Sequence, residues 1–216
     1  MSQNINLAAI FYSLVLPLRK NLAVPHFSVS DLSKVDPDAI YDAGFRGLVF
    51  DKDNTLTVPY GREIHRRIAK TVARFQKIYG TKMVIMSNSA GTHDDKDYSD
   101  AEMIEADLGI PVIKHLWKKP GGIRAVTDYF GCSPKDLVMF GDRILTDIVF
   151  GNRYGMLTVH TAFLTEEGDN KTAAKIRRKE IPLMRKLYQE GYRAPIHGRF
   201  NPNICLENLL AQPQTA

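Results

Sequence analysis

The chain has 216 residues, 44% of them apolar and 25% charged, with a formal charge of +5. Length and composition exclude a globally disordered chain or a repeat array and set one globular domain with appendages as the expectation. Two cysteines, Cys132 and Cys205, without metal-ligand spacing, exclude a disulfide scaffold or zinc module and point to a reducing compartment.

The first segment, "NLAAIFYSLVLPLRK", carries Leu7, Ile10, Phe11, Leu14, Val15 and Leu18 at the spacing of one helix face. Its apolar run, residues 7–18, covers 12 residues, against roughly 20 for a bilayer-spanning helix. It has neither a basic lead nor a small-residue cleavage site, so no secretory signal is expected. An amphipathic helix fits, either lying on an anionic membrane surface with Arg19 and Lys20 at its cationic end or packed on the chain's own core.

From residue 45 short apolar runs alternate with stretches of helical period. The runs 47–51, 82–87, 111–115, 137–142 and 156–160 predict strands, and 61–79, 98–108, 121–130 and 145–153 predict helices. This alternation predicts an α/β fold, a Rossmann-like parallel sheet flanked by helices. In such sheets ligands bind beyond the carboxyl ends of the strands. Asp51 and Asp53 of "DKDNTLT", Ser87 and Asp142 all leave predicted strands at that end.

Asp51, Asp53, Asp142 and Asp147 converging without compensation would repel and raise one another's pKa values. A hard dication relieves this, and Mg2+ is held by one or two carboxylates together with water and substrate phosphate. Ser87 and Asn88 in "SNSAGT" and Lys118–Lys119 in "KKPGG" supply the donors a phosphoryl group needs. The set reads as phosphoryl transfer.

These residues resemble the four motifs of the haloacid dehalogenase-like phosphohydrolases, in order: DxDx[TV] as "DKDNT", a strand-ending Ser as Ser87, a Lys before Pro as Lys119, and GDxxxxD as Gly141, Asp142 and Asp147. The resemblance implies that Asp51 is the nucleophile that becomes an aspartyl-phosphate. It implies that Asp53 protonates the leaving alkoxide and then activates water. Magnesium would be held by Asp51, the Asp53 backbone carbonyl, Asp142 and Asp147, with Asp147 either a ligand or a support. Ser87, Asn88 and Lys119 would hold the substrate, and Thr55 would shape the turn beside it. Lys118 is the rival of Lys119, which is preferred because it precedes Pro120.

Only 33 residues separate Asp53 from Ser87 and 31 separate Ser87 from Lys119, which leaves no room for a large cap. A capless site suits a phosphate carried on something large. The stretches "LVFDKDNTLTVPY", "VSDLSKVDPDAIYDAGFRG" and "FGDRILTDIVFGNRYGMLTVH" resemble the mitochondrial phosphatidylglycerophosphatases of fungi and plants, a capless branch of that superfamily. This implies removal of the terminal phosphate of phosphatidylglycerophosphate, a step towards cardiolipin, by a peripheral enzyme on the matrix side of the inner membrane. Arg62, His65 and Arg66 stand as contacts for the second phosphate or as solvated helix residues, and 93–97 stands as a loop at the entrance.

Residues 171–199 hold nine Lys/Arg against two Glu, a net +7, leaving −2 elsewhere. The stretch is either a solvated helix face or a surface for an anionic partner. No aromatic platform or nucleic-acid motif accompanies it, so nucleic acid is not the expected partner. The expected organisation is an N-terminal helix and lead-in over 1–44, a catalytic core over 45–170 and a basic helical extension over 171–216. A homo-oligomer stays open. The alternative reading is a capless phosphatase acting on phosphoprotein or nucleic-acid ends.

Overall fold

A computed structural model of the chain describes residues 19–169 and 171–199. The predicted helix over 7–18 and Cys205 lie outside the described residues. A parallel five-stranded sheet is built from β1 (Phe27–Val29), β2 (Gly47–Phe50), β3 (Met83–Ile85), β4 (Leu137–Gly141) and β5 (Leu157–Thr161), in the order β1-β5-β4-β2-β3. The helices are α1 (Pro37–Asp42), α2 (Ala69–Tyr79), α3 (Ser99–Leu108), α4 (Ile123–Phe130), α5 (Val149–Tyr154) and α6 (Lys171–Gln189).

The four strands β2 to β5 are buried at every position, as a parallel sheet covered on both faces requires. Alternate residues feed two cores. Leu48, Phe50, Ile85, Val138 and Phe140 face a core shared with Ile40 of α1, Val72 and Phe75 of α2, and Leu108 of α3. Val49, Val84, Leu137 and Met139 face the other, closed by Val126 and Phe130 of α4 and Phe150 of α5. Phe50 and Phe140, in register on neighbouring strands, stack with centroids 4.5 Å apart, and Phe75 packs edge-on against both.

Some elements differ from the expectation. The run 111–115 makes a single bridge, Val112 to Ile85, in place of a strand. Pro111 has no N–H to extend a ladder, and His115 turns its amide to Gly91 O at 2.7 Å. The helix expected over 61–79 starts at Ala69 because 61–68 is drawn back to the loop after β2, His65 N donating to Leu56 O at 2.9 Å. The helix expected over 145–153 opens as a π-turn, Ile144–Ile148, before α5. β1 is three residues long, too short to show a period, and packing continues across residue 45 through it.

α6 begins at Lys171, beyond the expected end of the catalytic core, and packs on the same body. Met184 and Leu187 join Ala23, Val24, Ile144, Ile148 and Val149 in a third core. Between Asp53 and Ser87, and again between Ser87 and Lys119, the chain forms one α-helix and no cap domain. Among the described residues, no helix is long and apolar enough to cross a membrane.

Candidate active site

The ladder places the functional loops side by side. Phe50 pairs with Ile85 on one side and Phe140 on the other. Asp51 N donates to Phe140 O at 2.8 Å and Met86 N to Phe50 O at 2.9 Å. Asp51, Ser87 and Asp142 therefore leave three adjacent strands together.

Carboxylate oxygens of Asp51, Asp142 and Asp147 lie within 4.8 Å of one another. Lys119 Nζ sits 2.7 Å from Asp51 Oδ1 and 2.7 Å from Asp147 Oδ1. Burial disfavours its ammonium, but Asp147 and Asp51 outweigh that and raise its pKa. Burial is the main cause pushing Asp142 well above the usual carboxylate range; Arg177 opposes it while Asp51 and Asp147 add to it. Asp147 is pushed up to about 6, by burial first, with Lys119 offsetting part. Asp147 and Asp142 are 1% exposed, whereas Asp51 is 14% exposed and is the member a substrate can reach.

Asp147 reaches the cluster through the π-turn. Its Oδ2 accepts Arg143 N at 3.1 Å and folds over Gly141, where a Cβ would overlap the Asp147 carboxyl. The glycine of the GD pair is thus a space requirement.

Asp53 does not join this cluster with its side chain. Its Oδ1 accepts Lys52 Nζ at 2.6 Å and Tyr60 N at 2.9 Å. Asn88 clamps the lysine loop from both sides: Oδ1 accepts Lys119 N at 2.7 Å and Nδ2 donates to Lys119 O at 3.3 Å. Ser87 is buried, with its Oγ 3.0 Å from Ser89 Oγ and accepting Ser89 N at 3.2 Å. The His115 ring stands between Ser87 O at 2.9 Å and Trp117 O at 2.8 Å, joining the two donor loops.

Thr55 shapes its turn through its amide, which donates to Lys52 O at 3.3 Å, while its buried hydroxyl has no hydrogen-bond partner. Lys118 points away to Asp94 Oδ2 at 2.7 Å, so Lys119 is the lysine of the cluster. Arg62 pairs with Asp107 and lies before α2. In the 93–97 loop, Asp95 accepts from Gly91 N, Asp100 N and Ala101 N and anchors the start of α3.

Two residues of the site escaped the sequence reading because they sit in the basic stretch. Arg177 Nε donates to Asp142 Oδ2 at 2.6 Å, both side chains buried. Glu180 accepts Ile144 N, Leu145 N and Arg143 Nε, each at 3.2 Å, so it caps the π-turn that carries Asp147. The signal was helical period: Arg177, Glu180, Met184 and Leu187, spaced i, i+3, i+7 and i+10, form the buried face of α6.

The residues present fit a magnesium ion. Asp142 Oδ1 is buried without a hydrogen-bond partner, beside two further carboxylates, and a dication would satisfy it and relieve the crowded charge. The parallel sheet, the aspartate after β2, the buried lysine and the carboxylate pair after β4 define a phosphatase of the haloacid dehalogenase-like class. Within that class the chain belongs to a particular family, since the model for the mitochondrial PGP phosphatases matches residues 7–164.

The chain is 43% identical to the chloroplastic phosphatidylglycerophosphate phosphatase 1 of Chlamydomonas reinhardtii, over 91% of this chain and 74% of that protein. It is 38% identical to the chloroplastic/mitochondrial phosphatidylglycerophosphate phosphatase 1 of Arabidopsis thaliana, over 91% of this chain and 58% of that protein. It is 35% identical to the mitochondrial phosphatidylglycerophosphatase of Saccharomyces cerevisiae, over 72% of this chain and 83% of that protein.

Proposed function

We propose that this protein is a magnesium-dependent phosphatase that converts phosphatidylglycerophosphate to phosphatidylglycerol, a step towards cardiolipin, at an anionic membrane surface on the matrix side of the mitochondrial inner membrane. The names of its relatives support the substrate. The observation that carries the chemistry is the contrast within the cluster: Asp51 alone combines accessible surface with a bond to the buried Lys119.

Asp51 Oδ2 attacks phosphorus in line with the leaving glycerol oxygen, and an aspartyl-phosphate forms as that bond breaks. Lys119 holds Asp51 Oδ1, orients the attacking oxygen and, with Ser87, meets the non-bridging oxygens. Asp53, anchored through Oδ1 by Lys52 and Tyr60, delivers a proton from Oδ2 to the leaving alkoxide and then takes one from the water that cleaves the aspartyl-phosphate. Asp51, the Asp53 backbone carbonyl, Asp142 and Asp147 would hold magnesium, which would supply charge neutralisation at the phosphoryl group when bound. The open mouth, with Tyr60, Leu116 and Trp117 exposed on the flanking loops, suits a phosphate presented at a bilayer interface.

The test is phosphate release, with and without Mg2+, across a panel of lipid, peptide, nucleotide and sugar phosphates. Phosphatidylglycerophosphate in vesicles is expected to be the preferred substrate, and faster release from phosphopeptides or nucleic-acid ends would overturn the lipid assignment. Asp51→Asn is expected to abolish release while leaving the thermal unfolding curve in place. Substantial magnesium-dependent release by that variant would refute the nucleophile.

A further inference from the structure

The geometry points to Arg177 as the positioning residue that makes Asp142 a one-oxygen metal ligand, so that α6 tunes the site towards small octahedral dications. The inference rests on the metal reading of the cluster. Asp142 divides its two oxygens sharply: Oδ2 takes the Arg177 Nε bond at 2.6 Å, while Oδ1 is buried with no hydrogen-bond partner. The guanidinium is itself held from outside, by Asp169 at Nη1 and by the Phe163 ring, whose centroid lies 5.7 Å from Cζ. It cannot shed its proton in the working pH range, so Oδ2 stays engaged.

The other carboxylates are restricted in the same way. Asp51 Oδ1 is taken by Lys119, and Asp147 has Oδ1 beside Lys119 and Oδ2 on Arg143 N. No carboxylate of the cluster offers two open oxygens. Calcium gains from bidentate carboxylates and a larger shell, whereas magnesium takes single oxygens in an octahedron. Freeing Asp142 Oδ2 therefore costs Mg2+ more affinity than Ca2+, which can use the second oxygen.

Isothermal titration of the full chain with Mg2+ and separately with Ca2+ tests this, alongside near-ultraviolet circular dichroism to verify folding. Arg177→Met is expected to weaken Mg2+ by about ten- to hundredfold, the usual cost of losing a residue that orients a ligand, and to weaken Ca2+ by less than about threefold. Arg177→Lys keeps the charge without the fixed fork, and is expected to fold and to narrow the Mg2+/Ca2+ ratio in the same direction. If the Met variant does not fold, the Lys variant decides. Unchanged Mg2+ affinity in a folded variant, or an equal loss for both metals, would overturn the positioning role. Absence of Mg2+ binding by the unsubstituted chain would overturn the metal reading itself and this role with it.

Discussion

Gly141 shows how a single position couples the motif to the fold. Asp147 returns over it to accept Arg143 N, and the space it occupies is the space a methyl group would need. Gly141→Ala is expected to displace the Asp147 carboxyl, lower stability by about 1–3 kcal/mol and weaken Mg2+ binding together with it. Urea denaturation and metal titration on the same variant check this; two unchanged values would mean the loop shifts freely. The GD pair was legible as a motif, but the reason for its glycine appears only with the π-turn. The preference for Lys119 over Lys118 in "KKPGG" rested on Pro120 alone; in the folded chain Lys119 pairs with Asp51 and Asp147, and Lys118 with Asp94.

α6 has two faces with different duties. Outwards it carries exposed Lys175, Arg178, Lys179, Arg185 and Lys186, the stripe that stands out in composition. Inwards it carries Arg177 and Glu180 into the site and Met184 and Leu187 into the third core. Glu180 receives two backbone amides of the π-turn and Arg143, so Glu180→Ala would leave three donors stranded near the cluster. The variant is expected to lose about 3 kcal/mol of stability, and hydrogen exchange at the Ile144 and Leu145 amides should accelerate. Slow exchange retained at both would remove the capping role. Charge counting found the outer face because a net charge is a sum; the inner face is a matter of direction, which only the 3.6-residue period conveys.

Across the whole molecule, a half-buried histidine joins distant parts of the chain. His26 links β5 to the C-terminal segment: Nδ1 lies 2.8 Å from Thr158 Oγ1 and Nε2 2.9 Å from Pro195 O, with His197 edge-on at 5.7 Å. Burial, with the His197 charge adding, lowers its pKa from 6.5 to about 4. The folded state thus disfavours the proton, so the stability from a neutral His26 is complete above pH 6.5 and is lost as pH falls towards 4. The unfolding free-energy gap between wild type and His26→Gln is expected to shrink by about 3 kcal/mol across that window. A gap that stays flat with pH would show that His26 is not held neutral. The α/β class, four of the five strands and the ordered set of acidic, serine and lysine residues were all readable along the chain, because strand period and motif spacing are local properties. The partner of each carboxylate, the turning of Asp53 to Lys52 and the entry of Arg177 and Glu180 were not. Lys52 and Asp53 are chain neighbours whose meeting is a matter of side-chain direction, the Lys119 pairs join loops far apart in sequence, and packing of α6 against the π-turn brings in Arg177 and Glu180.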